Sequence, residues 1–503
     1  MMMEDLKELG KPLEFWEYFY EISKIPRCSG YEDQMRVFIQ KEAEKMGFQT
    51  ITDRIKNIVI KIPSKLKSEK SGVILQSHMD MVCEKNDDVK HDFSKDPLDL
   101  KLIEVNNEKW ITANGTTLGA DNAVGMAYQL AIMKKINKGE LDLGPISLDL
   151  LFTVDEERGL TGASQIDKNM ISGSYMINID SEEENRFTIG AAGGRVFEVI
   201  VKDGRQSIDN EKKVIPMKLS VIGLVGGHSG GDINKGRANA LKIISQILWK
   251  LKKEYDIYLN SLNGGNLDNA IPREAEAIFF IEENDLSQLI NFINNNSSHI
   301  KMLYNGIESN MEISIQKLEN FNESSMISKK LQNKLIDLLF SIPNGPISIH
   351  PITKELVHTS TNFASIRTKK NSINFVISQR SLTQYDLDVI YEKFLTLFEI
   401  SGLDLNVNIK YEYPSWPPNF NSKISKLSKK IYKELFNNEV IIQAIHAGLE
   451  CAYFNYHYSN MEIISIGPNI IDVHSPDERL KINSVEKIWN FLIALLKKLV
   501  WII

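Results

Sequence analysis

The stretch GVILQSHMDMV, residues 72–82, runs from an apolar strand-like segment straight into a histidine and an aspartate two residues apart. Residues i and i+2 of a strand point to one side, so His78 and Asp80 can face one pocket. A metal-bound imidazole usually gives its second N–H to a carboxylate, and Asp80 is placed to be that partner. Taken alone, His-x-Asp on a strand is more often plain polar surface. The neighbouring segments carry the reading further. NIVIKI (57–62), ISLDLLFTV (146–154) and YMINID (175–180) also read as strands. Between them PLEFWEYFYEISKI (12–25), QMRVFIQKEAEKMG (34–47) and DNAVGMAYQLAIMKKI (121–136) show helical spacing, and a short helix is expected near Gly162 to Ile166. Such alternation implies an α/β fold: a three-layer domain with a mostly parallel sheet.

The texture changes at GAAGGR (190–195). KLSVIGLVGG (218–227), AEAIFFIE (275–282), MEISIQKLE (311–319), INFVISQRS (373–381) and LNVNIKYEYP (405–414) look like strands between long helices such as 238–254. PSWPPN (414–419) reads as a domain-crossing linker. Helix KISKLSKKIYKELF (423–436) and strand MEIISIG (461–467) then resume the first pattern. The expected organisation is a catalytic domain in two parts, 1–190 and 414–503, interrupted by an α+β lid domain at 191–413.

Further acidic residues follow the other strands. Asp121 of TLGADN (117–122) starts a helix and is open to two readings, a helix cap or a carboxylate bridging two cations. Glu156 and Glu157 follow the strand 146–154, and strand-end neighbours point apart, so one can bind metal while the other acts as general base. Asp180 ends YMINID, while most of SEEEN (181–185) reads as solvated surface. His474 of DVHSPDE (472–478), held between Pro468 and Pro476, adds a second imidazole from the far end of the chain. Ligands of open α/β sheets gather outside the carboxyl ends of strands, where these residues fall. Oxygen and nitrogen donors without thiolate suit zinc, and manganese or cobalt as alternatives.

Composition bounds the rest. At 503 residues, 43% apolar and 25% charged, the chain has material for more than one core. A formal charge of −7 argues against a nucleic-acid partner. The lysines between Lys61 and Lys70 read as a solvated loop. Cys28, Cys83 and Cys451 are too few and scattered for a disulfide framework, which fits a reducing compartment. The opening MMMEDLKELG lacks an apolar signal core, and Lys497 and Lys498 interrupt FLIALLKKLVWII (491–503), which reads as a helix packed on the core. The expectation is a soluble cytoplasmic protein with no membrane partner.

The order and wording of these motifs resemble the zinc exopeptidase family that contains carnosinases, aminoacylases and tripeptidase-like enzymes. The likeness runs from CSGYE (28–32) through GTTLGADNAVGMA (115–127), the 156–157 pair, INIDSEEE (177–184), GLVGGHSGGDINKGRANA (223–240), NAIPREA (269–275) and HAGLEC (446–451). The resemblance implies two zincs per chain. His78, Asp121 and Asp180 would hold one; His474, Asp121 and Glu157 would hold the other, with Asp121 shared. It further implies Glu156 as general base, Asp80 as the partner of His78, and a cis peptide after Asp121. His228 of GGHSGG would polarise the scissile carbonyl, and Asn269, Arg380 and Gly448 would hold a small peptide substrate. The expected activity is hydrolysis of unblocked dipeptides by a homodimer joined through the inserted domain. N-acyl amino acid deacylation and a non-catalytic peptide-binding relative are the alternatives. Cys83 stands where relatives often carry proline, and Asp155 where threonine is common; neither is a ligand position.

Overall fold

A computed structural model describes residues 5–65, 72–208, 213–319, 321, 323 and 325–500. The lysine-rich stretch beyond Lys65 lies largely outside the described residues. The chain divides into two compact units: one takes the residues up to Ala191, Trp416–Ala444 and Leu449 onward, the other Ala192–Ser415 with Ile445–Gly448.

The first unit is built on an eight-stranded sheet. Its order is Gln49–Thr52, Ile58–Ile62, Leu148–Thr153, Val73–His78, Tyr175–Asn178, Glu462–Ser465, Arg186–Ala191 and Ile441–Ile445. The parallel character resides in the four central strands, Leu148–Thr153 through Glu462–Ser465. Gln49–Thr52 and Ile58–Ile62 add antiparallel on one side of them, and Arg186–Ala191 pairs antiparallel with Glu462–Ser465 on the other. The difference follows burial, because parallel strands need both faces covered. Val73, Leu75, Leu150, Phe152 and Ile177 join one large core with helices Leu13–Ser23 and Ala120–Asn137. Ile74, Leu151 and Met176, pointing the other way, are equally buried. Helix Ile482–Leu499 completes the packing, burying Leu492, Leu495, Leu496 and Leu499 in that core. Among the described residues no helix is long and apolar enough to cross a membrane.

A four-stranded sheet in the same unit pairs Ile470–Ile471, Arg479–Lys481, Glu108–Ala113 and Leu100–Val105 in that order. It fixes both ends of the loop carrying His474. The cysteine expectation needs correction, because Cys28 and Cys83 are joined by a disulfide. The chain at Arg27–Cys28 runs beside Met81, whose N–H donates to the Arg27 carbonyl, and this brings the two Cα atoms to 5.7 Å. A separation of 55 residues hides that pairing from spacing alone. Cys451 is free and buried.

The second unit is a nine-stranded antiparallel sheet covered on one face by helices. Strand Val214–Ile222 alternates buried and partly exposed residues along its length. Ile215, Met217, Leu219 and Val221 pack against helices Ala240–Glu254, Leu286–Leu303 and Lys329–Ser341, while Val214, Lys218, Ser220 and Ile222 point to the other, partly exposed face.

Candidate metal centre

The central parallel strands all end on one side of the sheet, and this gathers their following residues. His78 is the last residue of its strand. Asp180 lies two residues beyond Asn178, and Glu156 three beyond Thr153. Glu156 and Glu157 do not continue a strand; they open a short helical turn, Glu156–Gly159, with Asp155 before it in the left-handed region at φ 54°. Asp121 is not the helix cap. Asn122 caps the long helix, its Oδ1 accepting the Gly125 N–H at 2.9 Å, and Asp121 holds φ −82°, ψ 105°, outside helical geometry, with a cis peptide to Asn122.

The Asp121 carboxylate divides its two oxygens between two groups. Oδ1 lies 2.9 Å from His78 Nε2, and the same nitrogen lies 3.4 Å from Asp180 Oδ1. Oδ2 lies 3.3 Å from His474 Nε2, which is 3.0 Å from Glu157 Oε2. Two clusters result, His78–Asp121–Asp180 and Asp121–Glu157–His474, each with its potential ligand atoms within 4.8 Å of one another. His78, Glu156 and Glu157 form a third group of the same kind. His474 reaches its cluster with φ 61°, an uncommon conformation for a non-glycine residue.

Asp80 organises the base of the site. Its carboxylate accepts the backbone N–H groups of Glu156 at 3.0 Å and Glu157 at 3.2 Å, and the Ser29 hydroxyl at 2.7 Å. The Nδ1 of His78 faces it too, 3.4 Å from Asp80 Oδ1 and 3.2 Å from the Asp80 carbonyl. One carboxylate thus orients an imidazole and two neighbouring glutamates.

The second unit gathers its own set. His228 lies on a two-residue strand paired with Ala270–Ile271, and the Asn269 carbonyl accepts the Ser229 N–H at 2.7 Å. Arg380 Nη2 is 3.3 Å from His228 Nε2, and Nη1 donates to the Tyr413 hydroxyl at 2.6 Å. Arg380 Nε is buried without a partner. Gly448 lies against the Tyr413 ring, where a Cβ would come within 3.0 Å of Cε2.

Residues 74–498 match the sequence pattern of Peptidase family M20/M25/M40. The chain belongs to that family. It is 36% identical, over 99% of each chain, to the cytosol non-specific dipeptidase of Escherichia coli strain K12. The crystal structure of an aminoacylhistidine dipeptidase from Vibrio alginolyticus superposes with a TM-score of 0.86 at 34% identity, covering 97% of this chain and 96% of that one. Human carnosine dipeptidase 1 shares the fold, with a TM-score of 0.52 at 13% identity over 99% and 97% of the two chains.

The M20 donor set fits a pair of cations on its own chemistry. Asp121, Glu156, Glu157 and Asp180 converge on two imidazoles, and Glu157 Oε1 is buried with no partner. Burial drives the Glu156 carboxyl well above its ordinary pKa; the Asp180, Glu157 and Glu450 charges add to this and His78 opposes it. Burial also raises Asp180, against His78. Asp121 is held low despite burial, by hydrogen bonds with His474 and His78. Crowded carboxylates of this kind are what a divalent cation neutralises.

Three buried residues inside or beside the quoted motifs were not read as participants. Arg27, fully buried, donates to the carbonyls of Asp80 at 2.8 Å, Met79 at 3.2 Å and Gly119. Glu478 accepts the N–H groups of Leu118 at 2.9 Å, Gly119 at 2.8 Å and Asp121 at 3.3 Å, so it ties the His474 loop to the Asp121 turn. Its signal was its place four residues after His474 in DVHSPDE. In the second unit His446 Nε2 meets the Ser360 hydroxyl at 2.7 Å.

His446 carries a pH prediction. Burial, reinforced by Arg380, His358 and His228 and opposed by a hydrogen bond with Val357, pushes its pKa down to about 3. A base depressed in the fold stays neutral there, while the unfolded chain takes up a proton below its ordinary value near 6.5. Stability is full above that pH and is lost as pH falls towards 3, by on the order of 2 kcal/mol at pH 5. Urea unfolding at pH 7 and pH 5 should therefore show a larger loss in the wild type than in His446→Gln. Equal losses would refute the assignment.

Proposed function

We propose that this protein is a two-metal dipeptidase that hydrolyses unblocked dipeptides, Xaa-His among them. The observation that carries the reading is the Asp121 carboxylate, one oxygen towards His78 and the other towards His474. His78, Asp121 and Asp180 would hold one zinc, and His474, Asp121 and Glu157 the other; manganese or cobalt suits the same donors. When bound, the pair supplies Lewis acidity and lowers the pKa of water towards neutrality.

Glu156 takes the proton of the attacking water and returns it to the leaving amine nitrogen. Asp80 holds His78 and the Glu156 backbone in place for this. The Gly231 N–H donates to His228 Nδ1 at 3.1 Å, so the ring proton would sit on Nε2 and serve a substrate carbonyl oxygen once Arg380 Nη2, a donor 3.3 Å from that nitrogen, turns to the substrate carboxylate. Loss of hydration around the ring, which stays partly open to solvent, and the Arg380 charge lower the His228 pKa to about 4, so the ring is neutral at physiological pH. Arg380, steadied by Tyr413 and with Nε unpartnered, suits the carboxylate of the dipeptide. Asn269 and Gly448 complete the substrate set.

The second unit is read as an inserted lid that also joins a homodimer; exposed Ile222, Val225 and Leu267 support that surface. A cytoplasmic location follows the name of the Escherichia coli relative.

The deciding experiment is turnover of zinc-loaded protein against Ala-His, β-Ala-His, Cys-Gly and N-acetyl amino acids. Cleavage of the free dipeptides, lost on chelation, is expected. Cleavage of acetylated substrates alone would move the protein to the deacylases. No amide cleavage, with less than one zinc per chain, would leave a peptide-binding relative.

A further inference from the structure

Glu450 is a buried carboxyl that the mechanism above does not use. It opens helix Glu450–His457, and neither it nor its partners reach solvent: Glu450, Gln76, Thr153 and Asn178 are all 0% exposed. Glu450 Oε2 accepts from Gln76 Nε2 at 2.6 Å and from the Thr153 hydroxyl at 2.8 Å. Gln76 Nε2 also donates to Thr153 Oγ1 at 3.1 Å, and Gln76 Oε1 accepts from Asn178 Nδ2 at 2.6 Å. The placement of these partners is the informative part. Gln76 precedes His78 by two residues, Asn178 precedes Asp180 by two, and Thr153 precedes Glu156 by three. Each lies on a different one of three adjacent parallel strands.

We infer that Glu450 is a positioning residue, whose carboxyl locks the three strand ends bearing His78, Glu156 and Asp180 into one register. The inference rests on the metal-ligand reading above. Packing does not account for such a group, since an apolar side chain of similar volume would avoid the cost of burying a carboxyl. Removing it leaves one Gln76 N–H without an acceptor in a dry interior and sends the Thr153 hydroxyl to its longer partner, the Ser77 carbonyl at 3.3 Å. The strand ends are then free to adjust, and metal ligands tolerate displacements of only a few tenths of an ångström. Burial pushes the Glu450 pKa up to about 8, against His78 and with Asp180, so a neutral amide is a fair substitute. In Glu450→Gln the side-chain amide oxygen can accept both hydrogen bonds.

The test is zinc affinity by chelator competition, alongside kcat and KM. Glu450→Ala should weaken zinc binding and lower kcat by roughly 10–100-fold, with KM little changed. Glu450→Gln should restore both to near wild type. Thr153→Val, which removes only the hydroxyl, should shift zinc affinity in the same direction. Its effect should not add to that of Glu450→Ala if both act through one network. A folded Glu450→Ala protein with wild-type zinc affinity overturns the inference, as does a Glu450→Gln protein as impaired as Glu450→Ala. Should Glu450→Ala fail to fold, Thr153→Val decides, and unchanged zinc affinity there overturns it. Wild-type protein that binds zinc but cleaves no dipeptide would sink the functional reading while leaving this test intact. Wild-type protein that binds no zinc overturns both.

Discussion

Glu156→Gln should lower kcat by on the order of 10³-fold while the protein still binds two zincs per chain. The substitution keeps the shape of the side chain and removes only its capacity to accept a proton. Its backbone anchor is unaffected, because the Glu156 N–H donates to Asp80 Oδ1 at 3.0 Å whatever the side chain. The carboxyl is poorly solvated and lies among other negative groups, which makes its carboxylate a stronger base than one in water. KM should change little, since the substrate contacts assigned to Arg380, His228 and Asn269 do not involve Glu156. Glu157→Gln should behave differently. Glu157 Oε2 meets His474 Nε2 at 3.0 Å, so that variant should lose metal before it loses chemistry. Measuring zinc content and steady-state kinetics on both variants separates the two roles. Full turnover by the Glu156→Gln protein would refute the base assignment.

How much of this could be read from residues alone depended on where each group acts. His78, Asp180 and the 156–157 pair were visible because each follows an apolar run. Parallel strands then carry the following residues to one end of the sheet. The divergence of Glu156 and Glu157 was expected from strand geometry, yet a helical turn produces it. Asp121 stayed ambiguous between cap and bridge until its non-helical backbone and the capping of the helix by Asn122 were seen. Arg27, Glu478 and Glu450 were not legible as participants. Arg27 and Glu478 grip backbone carbonyls and N–H groups, which have no residue signature, and Glu450 grips Gln76 and Thr153 some three hundred residues away or more. The Cys28–Cys83 bond was missed for the same reason, since only the fold brings those positions within reach. The edge strand Gln49–Thr52 was likewise missed, because QTIT carries no apolar run.

Asp121→Asn should abolish high-affinity binding of both zincs together, and activity with them. A ligand serving one ion could be lost with the other ion retained. Asp121 is different, because its Oδ1 faces His78 and its Oδ2 faces His474. An asparagine keeps one oxygen and turns an NH2 towards the other cluster, where it cannot ligate. It also removes the negative charge that would screen two cations held about 3.5–4 Å apart. The loss should exceed that of Asp180→Asn or Glu157→Gln, each of which belongs to one cluster. Zinc titration of chelator-treated protein, followed by thermal unfolding, reads this without any substrate. Binding to the native state raises Tm by mass action, so the wild type should gain stability on adding zinc and Asp121→Asn should gain little. A variant that still binds two zincs tightly would show that the two clusters assemble independently, and the shared carboxylate would then be a structural coincidence of the Asp121 turn.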